Sequence, residues 1–192
     1  MKELIRQRID LLKPLLKDAD PEVRAAAARS IEQLEVSCDI NEILNALKTG
    51  DTGTRISAIH ALGEIGDERV IAPLAYCAGR PEADIRAAAV ETLGRLAKPS
   101  TLPVLLERLD DQNTAIQARA ITALGNFPAS TTLCERLRPF LKASNGDLEA
   151  EAALALARLG DLASTDDIIA LLSSAHASTR KAAATALNLL PF

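Results

Sequence analysis

The residue types best suited to acid–base, thiol or metal chemistry are few and far apart in this chain of 192 residues. It has two histidines, His60 and His176, and three cysteines, Cys38, Cys77 and Cys134. Neither histidine precedes an acidic residue, and no C-x-x-C or H-E-x-x-H motif brings ligands together. We therefore expect separate, reduced thiols, no metal site, no cofactor and no catalytic residues.

The amino-acid composition disfavours some classes of binding partner. The formal net charge is -4 and the sequence pI is about 5.3, which disfavours nonspecific binding to nucleic acid. No G-x-G-x-x-G, P-loop or G-x-S-x-G motif is present, and no apolar stretch reaches the ~18 residues of a membrane span. We expect a cytoplasmic protein with no membrane segment, for which nucleic acid is the third-ranked partner class.

The elements that position these residues repeat along the chain. Aligning "DPEVRAAAARSIEQL" from Asp20 with "DTGTRISAIHALGEI" from Asp51 starts a series spaced by 31, 31, 31, 32 and 31 residues. These reference positions are Arg24, Arg55, Arg86, Gln117, Glu149 and Arg180. An alanine lies three residues after each, and apolar residues lie seven and ten after each, which is the spacing of one helix face.

A second apolar series lies twelve residues before the reference positions. Its members are Leu12, Ile43, Leu74, Leu105, Leu137 and Ile168. Each repeat is therefore predicted to contain a helix A and then a helix B. Asp20 before Pro21, Asp51, Asn113 and Asn145 are suited to cap helix B. Because one helix pair cannot bury its apolar faces alone, stacked pairs are needed to form a continuous core.

The sequence thus predicts an all-α fold, an α-solenoid of about six antiparallel helix pairs in a right-handed superhelix. We expect a single domain over residues 1–192, with repeats at about 2–35, 39–66, 67–97, 99–127, 129–160 and 162–190. Gly63, Gly94 and Gly125 share one position in helix B, where each would cost about 1 kcal/mol relative to Ala in an isolated helix. Their recurrence predicts close packing between helices.

The motif D-x-x-V-R in "DPEVRAAAARSIEQL" resembles that of HEAT repeats, and "IRAAAVETLGRLAKP" is similar to the HEAT-like repeats of phycobilin lyases. The resemblance extends from about Lys2 to Leu190. It implies that a reference arginine bonds an acidic residue near the A-to-B turn. Asp18 and Asp111 are candidate acids, but Asp111 then faces Gln117. Deoxyhypusine hydroxylase is a HEAT-repeat enzyme that uses His-Glu pairs, which this chain lacks.

The exposed side of the B helices is the candidate binding surface, because in such solenoids it usually lines the concave face. The candidate partner-binding residues are Arg24, Arg29, Arg55, His60, Arg86, Glu91, Arg95, Arg119, Asn126 and Arg158. Guanidinium groups bind carboxylates through two parallel hydrogen bonds, so an acidic protein or peptide is the expected partner. The alternative is a phycobilin lyase subunit or phycobiliprotein chaperone, in which the arginines would meet bilin propionates.

The remaining predictions concern the thiols and the chain ends. Cys77 and Cys134 occupy apolar positions and are expected in the core, whereas Cys38 is expected to be accessible in a loop before "DINEIL". The first helix has a polar face with Lys2, Glu3, Arg6 and Arg8. The last ends "TALNLLPF", with Leu189, Leu190 and Phe192 and no evident polar cap. Either the tail folds back or a partner covers this end, and our hypothesis is pairing with another chain there, by self-association or in a heteromer.

Overall fold

The computed structural model describes residues 2–191, and the side chains of residues 4–36 and 39–191. This part of the chain is all-α, as predicted, with no strand. Its α-helices are α1 (Lys2–Leu12), α2 (Pro21–Thr49), α3 (Thr52–Ile65), α4 (Ile71–Ala78), α5 (Ala83–Leu96), α6 (Leu102–Glu107), α7 (Thr114–Leu124), α8 (Thr131–Leu137), α9 (Gly146–Arg158), α10 (Thr165–Ala170) and α11 (Ala177–Leu189). They form two compact units, one ending at Ile65 and one beginning at Gly66.

The N-terminal unit contains α1, α2 and α3, with α1 and α3 both packed on α2. Helix α2 runs without a break for 29 residues, so the predicted boundary between residues 35 and 39 is wrong. No glycine or further proline lies between Glu22 and Thr49, and nothing in the local sequence stops the helix. Helix B of the first repeat and helix A of the second are therefore one helix. Cys38 lies in it rather than in a loop, and its side chain is outside the described residues.

The helix starts follow the predicted capping chemistry. Asp20 accepts a hydrogen bond from the backbone N–H of Glu22 at 2.7 Å, with Pro21 as the first helical residue. Asn113 and Asn145 cap α7 and α9 in the same way. Each cap satisfies a backbone donor that the helix itself leaves unpaired. These confirmed caps fix where the B helices begin.

The C-terminal unit stacks four helix pairs, α4–α5, α6–α7, α8–α9 and α10–α11. The B helices α5, α7, α9 and α11 pack against one another in that order. The predicted close approach is confirmed at two glycines of this unit. A Cβ added to Gly94 would lie 2.4 Å from Ala123 Cβ, and one added to Gly125 would lie 2.9 Å from Ala155 Cβ. The backbones of neighbouring B helices are therefore as near as small residues allow.

The opposite side of this unit is packed with larger residues. Leu109 and Leu141, eight residues before their reference positions, are 1% and 2% exposed. Leu172 occupies the same position in the last pair, where it is 40% exposed. Leu109 and Leu141 lie in short 3-10 turns that pack on α7 and α9, the B helices of their own pairs. The glycine–alanine contacts bring the neighbouring B helices of this unit close together.

The last helix does carry polar residues on its outward face, which corrects the prediction of an uncapped end. Lys181 and Asn188 are exposed there, at positions held by the buried residues Ala150 and Ala157 in the preceding pair. Leu190 is buried and Pro191 lies beside the turn at Gly160, where φ is +69°. Apolar exposure remains at Ile169, Leu172 and Leu189. Phe192 lies outside the described residues.

The exposed face of the first helix is also less polar than predicted. Arg6 and Arg8 are exposed as expected, whereas the side chains of Lys2 and Glu3 lie outside the described residues. Leu4 and Leu11 are exposed on the same helix, so α1 presents both charged and apolar groups. The polar face of α1 is therefore only a partial cap on the N-terminal unit.

Candidate protein-binding surface

Three reference arginines hold the turn between helix A and helix B. In each repeat, Nη1 donates to the backbone carbonyls five and six residues earlier, at distances between 2.7 and 3.0 Å. The arginines are Arg24, Arg86 and Arg180. Arg55 instead donates from Nε to the carbonyl of Leu47 at 3.2 Å. The recurrence of arginine at this position therefore has a structural cause.

Arg86 is buried, so the prediction that it lies on the exposed binding surface is wrong. Its side chain binds Asp111 through two hydrogen bonds, from Nε at 2.9 Å and Nη2 at 3.0 Å, and only 4% of the residue is exposed. Asp111 thus pairs with the arginine of the preceding repeat. Burial opposes ionisation of Asp111, but hydrogen bonds from Arg86 and the backbone of Asn113 keep its pKa below the usual value.

A second carboxylate–arginine pair joins the fifth repeat to the start of the sixth. Arg138 donates from Nη2 and Nε to Asp161 at 2.6 and 2.8 Å, joining α8 and its following turn to the start of the next repeat. The Arg138 hydrogen bonds hold the pKa of Asp161 below its usual range. Sequence reasoning missed this pair. The signal available was Asp161 itself, which directly follows the helix-terminating Gly160.

Five predicted residues lie exposed on the B helices of the C-terminal unit or in the turn just after one of them. They are Glu91, Arg95, Arg119, Asn126 and Arg158. Because α5, α7 and α9 pack in succession, their side chains form part of one continuous surface. We define the B-helix surface as these five residues together with Thr122, Glu151, Leu154, Thr185 and Leu189.

One hydrogen bond joins two neighbouring helices within the B-helix surface. Thr122 Oγ1 donates to Glu151 Oε2 at 2.7 Å, which links α7 to α9. Both residues are half-buried, as is Leu154. The carboxylate of Glu151 is therefore engaged within the protein, and Arg119 and Arg158 are exposed on the same two helices.

The other predicted residues lie in the N-terminal unit. Arg29 is exposed on α2, whereas Arg24, Arg55 and His60 are half-buried. Arg24 and Arg55 already donate to backbone carbonyls of their own repeats. Of these four residues, Arg29 is the one that is fully exposed.

The described thiols are core residues, as predicted. Cys77 and Cys134 are buried, and burial raises the pKa of the Cys134 thiol. Among the described side chains, no three His, Cys, Asp or Glu residues are grouped as metal ligands. Within residues 2–191, no helix combines the length and apolarity required to cross a bilayer.

Charged residues also line a cleft at the turn edge of the C-terminal unit. Arg80 and Arg108 lie there close to Asp110 and the buried Arg86–Asp111 pair. Arg108 donates to the carbonyl of Ala78 at 3.1 Å, linking consecutive A helices. The charged groups of this cleft are engaged with one another, since Arg86 and Arg108 lie within ion-pair distance of Asp111 and Arg80 lies within ion-pair distance of Glu82.

Known solenoid proteins share this arrangement of helices. The phycocyanin lyase complex of CpcE and CpcF from Nostoc sp. PCC7120 aligns with a TM-score of 0.64 and 19% identity, over 77% of this chain and 97% of that chain. YibA of Escherichia coli aligns with a TM-score of 0.63 and 20% identity, over 96% and 73%. A designed armadillo repeat protein in complex with the peptide (KR)4 has a TM-score of 0.55 and 16% identity, over 95% and 99%. At these identities the likeness is one of fold.

The sequence comparisons identify the repeat type. No curated protein matches the chain. The profile of the PBS lyase HEAT-like repeat matches residues 149–174. The profile of HEAT repeats matches residues 9–94 and 76–147, which together span well over half of the chain. The chain therefore belongs to the HEAT-repeat family.

Proposed function

We propose that this protein is a noncatalytic scaffold or adaptor that binds an acidic segment of another protein on its B-helix surface. The observation that carries the proposal is the exposure of Arg95, Arg119 and Arg158 on three helices packed in succession. A guanidinium fork matches the geometry of a carboxylate, and this preorganisation favours arginine over lysine at such sites. The succession of packed B helices gives a partner segment contacts with several helices at once.

The balance of charge on this surface favours an acidic ligand. Three arginines face two glutamates, and one of those, Glu151, accepts a hydrogen bond from Thr122. The protein complexes of the structural neighbours give general support for a protein partner, since one contains the peptide (KR)4 and another contains two lyase subunits. The cationic excess here points to a ligand of opposite sign to (KR)4.

The arginines that donate hydrogen bonds to the carbonyls of the A-to-B turns are unsuited to testing this proposal. Replacing Arg86 would unfold its turn as well as change the surface charge, because it binds Asp111 and two carbonyls. We therefore choose the double variant Arg95→Glu/Arg158→Glu. Its matched control is Arg8→Glu/Lys17→Glu, which changes net charge equally at exposed residues of the N-terminal unit.

The test is selection of peptides from a random displayed library on the immobilised protein. We expect acidic peptides to be enriched, and to bind the Arg95→Glu/Arg158→Glu variant at least tenfold more weakly than the wild type. The control variant should retain their binding. Enrichment without acidic residues, or an equal loss in both variants, would overturn the proposal.

The second candidate function is that of a phycobilin lyase subunit or phycobiliprotein chaperone. It is favoured by the PBS lyase HEAT-like repeat at residues 149–174 and the fold shared with a phycocyanin lyase. In that role Arg95 and Arg158 would bind the two propionates of a bilin. The one tyrosine, Tyr76, lies exposed on α4 rather than on the B helices, which leaves few stacking partners. Titration with a free bilin distinguishes the roles, because a shifted visible band that Arg95→Glu/Arg158→Glu abolishes would support the lyase function.

A further inference from the structure

The two helix pairs of the N-terminal unit are not stacked in the way of the C-terminal pairs. The first helix pair consists of α1 and residues 21–35 of α2, and the second consists of residues 39–49 of α2 and α3. Helix α3 follows α2 after Gly50 and Asp51 and packs back on it. At about 1.5 Å per residue, the 14 residues of α3 span about 21 Å, whereas the 29 residues of α2 span about 44 Å. Helix α3 therefore does not lie beside residues 21–35, which are helix B of the first repeat.

A leucine in the A-to-B turn of the first pair is exposed as a result. Leu16 lies eight residues before its reference position, as do Leu109, Leu141 and Leu172. In all four pairs the 3-10 turn that contains this leucine packs on its own helix B. Leu109 and Leu141, whose pairs are followed by another stacked pair, are 1% and 2% exposed, whereas Leu16 and Leu172 are each 40% exposed. Since packing within the pair is common to all four, the exposure of Leu16 marks a face without its next helix pair.

The side of the second pair that would receive the first pair is open as well. In the C-terminal unit, Gly94 meets Ala123 and Gly125 meets Ala155, so these alanines mark where a helix B receives the preceding one. Ala123 and Ala155 are 6% and 0% exposed. Ala61 holds the same position in α3 and is only half-buried. The two halves of one stacking contact are therefore both present in the N-terminal unit, and both are uncovered.

Core positions of the first pair share this incomplete burial. Leu12 and Ile31 are half-buried, whereas Leu105 and Leu124, which hold the same positions in the fourth repeat, have no exposed surface. Covering this apolar surface supplies free energy for a contact with another helix pair. The sequence retains the apolar pattern of a stacked repeat here, although the continuous α2 keeps the first pair away from the second pair of its own chain.

We infer that two copies of this chain form a dimer by exchanging their first helix pairs, so that the first pair of each copy stacks on the second pair of the other. A second copy presents the required face without any bend in α2. A two-fold dimer contains the contact twice, so it covers both open faces in both copies. Glu32 holds the position of Gly94 and Gly125, so the B helices approach less closely here than in the C-terminal unit. This inference is independent of the proposed function, because it does not involve the B-helix surface.

Sedimentation equilibrium of the full chain tests the dimer. All variants carry Leu172→Glu, which removes association through the last helix pair. We expect Leu16→Glu to raise the dimer Kd at least about tenfold, because stacking would take its carboxylate out of water. The control Leu11→Glu makes the same change on the first pair at a residue that is 76% exposed, at the position of the exposed Arg136, and should leave the Kd nearly unchanged. A monomer at every concentration, or equal effects of the two changes, would overturn the inference.

Disulfide trapping tests which chains contribute to the contact. One chain carries Glu32→Cys and a second carries Ala61→Cys, the positions that meet in stacked pairs, and both carry Cys38→Ser. We expect the oxidised mixture to form a covalent heterodimer, at least about tenfold faster than when Gly53→Cys, at the exposed start of α3, replaces Ala61→Cys. Equal rates would overturn the inference. So would a disulfide within one chain of the Glu32→Cys/Ala61→Cys variant at high dilution, because α2 would then bend and the first pair would stack on its own chain.

Discussion

At the scale of single residues, Arg86 and Asp111 form a buried pair that joins the turns of two consecutive repeats in the C-terminal unit. Both side chains are at least 95% buried and joined by two hydrogen bonds. We expect Arg86→Ala to lower the free energy of unfolding by about 3–5 kcal/mol, because the Asp111 carboxylate is then buried without its main partner. Urea denaturation measures this, with Arg119→Ala as an exposed control expected within about 0.5 kcal/mol of wild type. Equal effects of the two changes would contradict the structural role of Arg86.

The Arg138–Asp161 pair gives a prediction about acid stability. Because Arg138 lowers the pKa of Asp161 in the folded protein, the pair stabilises the fold above the unfolded-state pKa of about 3.9. That contribution is lost as the pH falls through the lower, folded-state pKa. Wild type should therefore exceed Asp161→Asn in stability at neutral pH, and the gap should close in acid. A pH-independent gap in urea midpoints would show that Asp161 acts through packing alone.

The residues that sequence reasoning placed well are those with local partners. Asp20, Asn113 and Asn145 cap the helix that begins just after them, so a few residues of sequence suffice. The Arg86–Asp111 pair joins residues 25 positions apart, and helical phase alone cannot reveal that a long side chain folds back onto its turn. The exposed arginines of α5, α7 and α9 were predictable because their phase is set by the core residues around them.

At the scale of helices, close packing at the glycines between B helices reverses the usual preference for alanine over glycine inside a helix. Gly→Ala inside a helix is normally favourable by about 1 kcal/mol. At Gly94 the new Cβ would lie 2.4 Å from Ala123 Cβ, so the helices must separate. We expect Gly94→Ala to destabilise the protein by about 1–3 kcal/mol, the usual cost of overpacking. Thermal unfolding with Gly53→Ala as control checks this, since nothing lies nearer than 3.8 Å to a Cβ there. Stabilisation by both changes would contradict close packing at Gly94.

The continuous helix α2 gives a second prediction at this scale. If residues 35–39 formed a turn between repeats, proline would be tolerated at Glu35. Within α2, Glu35→Pro removes a backbone hydrogen bond and clashes with the preceding turn, at a cost of about 3 kcal/mol. Glu35→Ala is the control and should change stability little, because Glu35 is exposed. Circular dichroism during urea unfolding measures both, and similar stabilities of the two variants would contradict a continuous α2.

At the scale of the whole molecule, the sequence period predicts the architecture but not the partner. Six spaced copies of one apolar pattern require stacked helix pairs, because a single pair cannot bury its own faces. The same period could not predict that α2 fuses two repeats, since the pattern recurs whether or not a turn interrupts it. Nor does the period predict which partner binds the exposed side chains, because one fold can carry many unrelated binding sites.

The outward face of the last helix pair gives the final prediction. Ile169 and Leu172 are 48% and 40% exposed, at positions where the preceding pairs bury Leu141 or contact the next repeat. Burying these two side chains would stabilise an association, but the exposed Lys181 and Asn188 of the same helix pair oppose a tight one. We therefore expect weak self-association that increases with concentration in light scattering. Leu172→Glu should abolish it, whereas the Arg136→Glu control should not. A wild-type monomer at every concentration would show that this face does not pair with a second copy.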